Sequence, residues 1–323
     1  MPESPVLTVS DLHVRLGSTH VVNGAGFSLA AGRTLALLGE SGSGKSVTAR
    51  TIMGLIRPPH GRVTAGTVLL HGQDLLAMPE ERRRALRSTT ISMVFQDALS
   101  ALNPVLSVGY QIAELFRAHR GMSRAEARRA AVDVLGQVRI PAAARRAGDY
   151  PHQFSGGMRQ RVGIALAIAL RPDVIIADEP TTALDVTVQA QILRLLGDIQ
   201  REHGTALLLI THDMGVVADM ADRVAVMYAG RVVEQATAAE VFARPRHPYS
   251  EALLGAIPRP HLRGRELAVI SGAPPDLSVP DEGCRFRTRC RYRIEDCERN
   301  PPEHDLGGGR STACHEWEKV GSA

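Results

Sequence analysis

Lysine is nearly missing from this chain: Lys45 and Lys319 are the only two, and every other cation is arginine. A general preference for arginine explains most basic positions, but it does not explain Lys45, which becomes a candidate for chemistry that needs a compact ammonium. No apolar run approaches the roughly 18–20 residues needed to cross a bilayer, which excludes a helical membrane span. The start, Met1 to Pro5, carries an acid and no apolar core, so no secretory leader is expected and a cytosolic location follows. No cysteine precedes Cys284, which excludes a disulfide framework for the body of the protein. In a reducing compartment the four late cysteines read as metal ligands or free thiols. Aromatic residues are sparse at 4%. Neither sign of charge dominates: 38 cations against 34 anions leave +4, which does not demand a nucleic-acid partner. What is present is enough apolar material, 44% with 22% charged, to exclude global disorder. A chain of 323 residues is long for one domain and implies a large domain with an appendage, or two domains.

Residues 7–35 read as short strands and turns, and residues 33–39 as a buried strand. Helix-compatible sequence runs from Lys45 to about Ile56, and residues 62–95 return to strand-like pieces around Val68–Leu70 and Ile91–Phe95. Residues 107–138 look helical with an Arg/Glu-rich outer face, and residues 157–170 form a second helical run. From residue 173, strands alternate with helices, the pattern of a mostly parallel sheet covered on both faces. The helical stretch interrupts that alternation as an insertion. After about Pro258 prolines break any long element, and residues 258–323 read as a loop-rich tail.

Residues 39–46, Gly39-Glu40-Ser41-Gly42-Ser43-Gly44-Lys45-Ser46, fit G-x-x-x-x-G-K-[ST] between an expected strand and an expected helix. Glycines let backbone N–H groups wrap phosphates, and the helix N-terminus adds partial positive charge. Lys45 can reach the β- and γ-phosphates, and Ser46 can give an oxygen to Mg²⁺. Val47 at the next position rules out a dinucleotide G-x-G-x-x-G reading. The apolar run Val174 to Ala177 ends in Asp178-Glu179: one carboxylate suited to Mg²⁺, the second to polarising an attacking water. Asn-Lys-x-Asp, the guanine-reading motif, is impossible with lysine only at 45 and 319.

Phe154-Ser155-Gly156-Gly157-Met158-Arg159-Gln160 opens the second helical run with another anion-binding cap. Here the sequence resembles the ATP-binding-cassette (ABC) ATPases over about residues 7–257. Ser155, Gly156, Gly157 and Gln160 match the signature segment. Gln96 matches the Q-loop glutamine, Ala183-Leu184-Asp185 the D-loop, and His212 the switch histidine. Alone, a glutamine after a strand is a solvated residue and a histidine at a strand end a satisfied polar one; the order of five motifs removes those readings.

The resemblance implies an α/β phosphate-loop fold with an antiparallel β subdomain, a helical subdomain at about 97–170, and a small C-terminal extension. It also implies a head-to-tail dimer in which the phosphate loop of one subunit faces the signature segment of the other. ATP and Mg²⁺ are the implied ligands. Ser46, Gln96 and Asp178 would serve the metal, Glu179 would be the general base, and His212 would contact the γ-phosphate. Gly39, Ser41, Gly42, Ser43, Gly44, Lys45 and Val47, with Asp185, complete the nucleotide set. One departure is Leu16, which stands where the family usually stacks adenine on an aromatic ring, with His13 nearby.

Arg246-His247-Pro248-Tyr249 and the cysteine series Cys284-x5-Cys290-x6-Cys297-x16-Cys314 are similar to ATP-binding subunits of di- and oligopeptide importers, including nickel-importing relatives. Four thiolates in a loop-rich tail suit a tetrahedral Zn²⁺ or an iron–sulfur cluster. The resemblance favours a [4Fe–4S] cluster, with Zn²⁺ as the alternative. Arg285, Arg287, Arg289, Arg291 and Arg293 either offset thiolate charge or form a solvated basic face. The implied assembly is a second ABC ATPase, identical or homologous, with two permease subunits and an extracytoplasmic substrate-binding protein. It places this chain peripherally on the cytoplasmic face of the membrane, its permease contact near Asp97–Tyr110. A non-transport or export ATPase is the competing class; one cassette, no heptad run and the tail argue against both.

Overall fold

A computed structural model describes residues 4–182, 184–257, 270–279 and 282–321. The chain begins with two long strands, β1 (Pro5–Leu16) and β2 (Thr19–Ala30), turning at Gly17. Next comes β3 (Thr34–Leu38), buried at every residue, and then α1 (Lys45–Ile52). The expected extension of α1 to Ile56 stops short, because Gly54 turns left-handed at φ 66°. β4 (Gly61–Leu70) and β5 (Gln73–Asp74) follow. They precede α2 (Glu80–Leu86), a helix between the two strand-like pieces. The insertion runs from the end of β6 (Ile91–Val94) through α3 (Ala98–Ala101), α4 (Val108–Arg120), α5 (Arg124–Gln137), α6 (Ala143–Arg146) and α7 (Gly156–Ile168). The alternating part is β7 (Val174–Asp178), α8 (Val186–His203), β8 (Ala206–Thr211), α9 (Met214–Met220) and β9 (Arg223–Tyr228). After β10 (Arg231–Thr237) come α10 (Ala238–Ala243) and α11 (Pro248–Gly255), then β11 (His304–Gly307) and β12 (Arg310–Thr312).

The elements group into two compact units, one of Met1–Val6, Leu29–Arg33 and Ala77–Leu209, the other of Leu7–Ser28, Thr34–Leu76 and Ile210–Ala323. In the first, β8, β7 and β6 are neighbours in that order, β6 and β7 parallel from Ile91↔Val174 to Val94↔Ala177. All residues of β6 and β7 are buried, as a covered parallel sheet requires. The stretch read as one helical run at 107–138 is two helices. α4 ends at left-handed Gly121, and Ser123 with Glu126 forms a capping box for α5. α4 buries Val108, Ile112 and Phe116, and α5 buries Ala127, Ala131, Val134 and Leu135, each set at helical spacing. Both helices pack on α7.

The second unit holds an antiparallel-dominated sheet in the order β2-β1-β4-β5, where β1 pairs β4 from Leu7↔Leu70 to Leu16↔Gly61. It also holds the run β11-β12-β10-β9-β3, in which β3 and β9 are parallel and the rest antiparallel. The tail therefore has structure of its own: β12 pairs with β10 at Glu234↔Thr312 and Gln235↔Ser311. Its Phe286 enters the core of this unit among Leu38, Val226, Tyr228 and Tyr249. The Tyr228 ring lies 4.6 Å from that of Tyr249 and 5.2 Å from that of Phe286, the latter edge-on. No helix among the described residues is long and apolar enough to cross a membrane.

Candidate nucleotide site

In the second unit, β3 delivers Gly39 into a space only glycine fits: a Cβ there would lie 2.1 Å from the Met227 carbonyl oxygen on β9. The loop then turns through Gly42 (φ 80°) and Gly44 (φ 102°), and Gly44, with no side chain of its own to cap the helix, is the N-cap of α1. The Gly230 N–H donates to the Ser43 carbonyl at 2.9 Å, and the Asn23 N–H to the Gly230 carbonyl at 2.8 Å, which ties the loop to β2 and to the β9–β10 turn. Lys45 is 4% exposed. Its ammonium donates to the Gly39 carbonyl at 2.7 Å and the Glu40 carbonyl at 2.8 Å, with Ser43 Oγ at 3.4 Å. Ser46, Val47 and the exposed Ser41 complete the expected segment on the same loop and helix start. His212 belongs to this unit too, exposed beyond β8, where the Asp213 carboxylate caps α9 through the Gly215 N–H at 2.7 Å. Where adenine is expected, Leu16 packs on Gly61, whose Cβ would meet Leu16 Cδ2 at 2.6 Å. His13 bonds Asp11 at 3.0 Å and tilts against His20.

The first unit carries the carboxylates. Asp178 ends β7 at 2% exposure. Glu179 follows in the left-handed region at φ 44°, a conformation that costs a non-glycine residue energy and marks a position held by its surroundings. Glu179 Oε2 accepts from Thr182 Oγ1 at 2.8 Å and from Gln96 Nε2 at 3.3 Å. The structure thus brings two expected residues together, Gln96 and Glu179. It adds Thr182, which the sequence offered only as a hydroxyl three positions after an acid. Ser155 caps α7 by accepting from the Met158 N–H at 3.4 Å. A Cβ on Gly157 would sit 2.5 Å from Val188 Cγ1, so glycine permits the close approach of α7 and α8. Gln160 is 4% exposed and donates to the Phe95 carbonyl at 3.3 Å, so its amide ties α7 to the end of β6. Asp185 caps α8 by accepting from the Val188 N–H at 3.0 Å. Gly156 is exposed beside them. Of the D-loop expectation, Ala183 lies outside the described residues.

Cys284, Cys290, Cys297 and Cys314 are all free. Among the described residues no group of three or more His, Cys, Asp or Glu is arranged to hold a metal ion. Burial, with a contribution from the other cysteines, pushes the Cys290 thiol up to about 11 and the Cys314 thiol up to about 12, and raises Cys284. Burial keeps these thiols protonated at neutral pH in the metal-free protein. Neither the [4Fe–4S] expectation nor its Zn²⁺ alternative finds support in this arrangement. The arginines between the cysteines have other partners: Arg287 and Arg293 meet Glu298, Arg291 meets Glu251, Arg289 meets Glu40, and Arg285 donates to the Ala229 carbonyl.

A glycine-built phosphate cradle on a strand–helix turn, a strand-end Asp-Glu pair with a glutamine on the glutamate, and a serine-capped helix start make up an ABC cassette, and the chain belongs to the ABC transporter family. The family model for ABC transporters matches residues 22–182, and that for the oligopeptide/dipeptide transporter C-terminal region matches residues 233–297. The dipeptide transport ATP-binding protein DppD of Bacillus subtilis is 50% identical over 301 residues, covering 92% of this chain and 90% of that protein. The oligopeptide transport ATP-binding protein OppD of Salmonella typhimurium is 48% identical over 317 residues, covering 97% and 94%. Among solved structures, the dimeric post-hydrolysis state of the cassette MJ0796 bound to ADP and Pi aligns with a TM-score of 0.64 at 27% identity, covering 72% of this chain and 98% of that one. The cbiO1 structure from Clostridium perfringens aligns with a TM-score of 0.63 at 29% identity, covering 75% and 92%. The chain is an ATPase of the transporter class with the α/β cassette fold.

Proposed function

We propose that this chain hydrolyses ATP to power the import of di- or oligopeptides through partner permease subunits. One observation carries the reading: a complete cassette is continuous with a C-terminal region of the oligopeptide/dipeptide type, in a chain that matches relatives named for peptide transport over nearly its whole length. In this reading Lys45 and the backbone amides at the start of α1 bind phosphates. The donors assigned to Mg²⁺ are hard oxygens, the Ser46 hydroxyl, the Gln96 amide and the buried Asp178 carboxylate, which suit that ion. Glu179 takes the proton of the attacking water, and His212 contacts the γ-phosphate. Ser155 to Gln160 and Asp185 serve the loop of a second ATPase, identical or homologous. A substrate-binding protein delivers the peptide from outside, and this chain sits peripherally on the cytoplasmic side.

The permease seat is supported by three exposed apolar side chains in one stretch: Leu99 at 47%, Val105 at 74% and Tyr110 at 46% exposure. Tyr110 also lines a cavity of about 490 Å³ together with Ser107, Glu114, Arg117 and Arg128. Uptake of labelled dipeptides and longer peptides by cells with and without the chain tests the cargo. Uptake that persists without it, or is lost only for nickel, refutes peptide import. Glu179→Gln should bind ATP and lose turnover; unchanged hydrolysis refutes the role of Glu179.

A further inference from the structure

The tail grips the phosphate loop at an acid. Glu40 directly follows Gly39 at the mouth of the loop. Arg289 grips its carboxylate with both ends of the guanidinium fork, Nη1 to Oε2 at 2.8 Å and Nη2 to Oε1 at 3.0 Å. The Arg289 side chain is only 3% exposed. Its Nε donates to the Ser271 carbonyl at 3.0 Å, and its plane lies 5.8 Å from the Tyr228 ring centre and 5.9 Å from that of Phe286. The other two groups of Glu40 are held as well. Its N–H donates to the buried Tyr249 Oη at 2.7 Å, and its carbonyl accepts from Lys45. Pro274, Pro275 and Leu277 line a crevice shared with Ser41, Gly42 and Ser43.

An acid in a loop built for phosphates is a liability. Its charge opposes the ligand unless something cancels it and aims it away. A buried, bidentate arginine does both, and a fork of fixed geometry also sets where the backbone of its partner lies. Resting on the ATPase reading above, we propose that Arg289 is a positioning residue for the nucleotide site. By holding Glu40, the C-terminal extension fixes the first turn of the phosphate loop and removes the one negative charge that would repel ATP there. The extension then acts on nucleotide affinity in its own subunit, through a residue 249 positions away in sequence.

The test measures KM for ATP, kcat and thermal unfolding on the full chain purified with its transporter subunits. The variants are Arg289→Met, Arg289→Lys and Arg289→Met combined with Glu40→Gln. Arg289→Met should raise KM for ATP by about tenfold, more than it changes kcat, because a lone carboxylate is left at the loop. Arg289→Lys, which keeps the charge without the fork, should fall between, and keeps the test open should the methionine variant not fold. Adding Glu40→Gln to Arg289→Met should bring KM back to within about threefold of the parent although the clamp is gone, since the repelling charge has gone too. An unchanged KM in both single variants overturns the proposal. So does a raised KM that Glu40→Gln fails to restore, which would leave Arg289 a role in tail folding alone. A parent protein that hydrolyses no ATP would reject the ATPase reading itself and not the clamp.

Discussion

Gly157→Ala isolates packing from chemistry at the signature helix. The added Cβ would lie 2.5 Å from Val188 Cγ1. Carbon atoms rest about 3.5–4.0 Å apart, so the starts of α7 and α8 must separate by about 1 Å. Overpacking of that size costs about 1–3 kcal/mol. The displacement also moves two capped helix starts at once, Ser155 on α7 and Asp185 on α8. Val188 is only half-buried, so Val188→Ala alone should be mild. The double variant Gly157→Ala/Val188→Ala should then recover most of the lost stability and ATPase rate, with a coupling energy of about 1–2 kcal/mol in a double-mutant cycle. Thermal unfolding and steady-state hydrolysis of the four proteins measure it. A double variant as impaired as Gly157→Ala alone would refute the argument, because it would mean that the backbone at Gly157 must approach something other than Val188.

Thr182→Val removes the 2.8 Å hydrogen bond to Glu179 at little change in volume; kcat should drop by about tenfold with KM for ATP nearly unchanged, and equal kcat would show that Glu179 is held by other groups. His247 is fully buried with its pKa lowered to about 3 by burial, so the folded protein keeps it neutral while the unfolded chain takes up a proton below about pH 6.5. Stability should therefore be full above that pH and fall by up to about 1.4 kcal/mol per unit below it. His247→Asn, which can still accept from the Tyr249 N–H, should show a shallower fall in urea midpoint between pH 7.5 and 5.0; parallel curves would refute the assignment. Glu234, raised by burial, titrates in the opposite sense in both proteins and cancels from the comparison. Iodoacetamide should label Cys290 and Cys314 of the native protein slowly at neutral pH and quickly in urea, since raised thiols carry little thiolate; fast native labelling contradicts the burial argument.

The motifs were legible because each is a short run whose residue types are dictated by local backbone demands: glycine where a carbonyl crosses, serine or aspartate where a helix starts. The strands were legible for a related reason, since β3 is continuously apolar after Thr34 and β7 is so up to Asp178. Three features were hidden. Gly121 is a single glycine in a run whose charge pattern continues unbroken, although Ser123 and Glu126 three apart did mark the new start. β11 and β12 are short and mostly polar, so no alternation betrays them; the ladder to β10 defines them. Arg289 looked like one of five tail arginines, and nothing local distinguishes the one that meets Glu40 from those that meet Glu298 and Glu251.

The scarcity of lysine has a practical reach. An amine-acylating reagent meets two side-chain ammonium groups in this chain. That of Lys319 is 67% exposed and reacts at once, whereas Lys45 is 4% exposed with its ammonium bonded to two loop carbonyls. Its modification, read by mass spectrometry against the constant signal of Lys319, is a built-in gauge of how often the phosphate loop opens. Each nucleotide, partner subunit or tail variant can be scored by that one number without adding a probe.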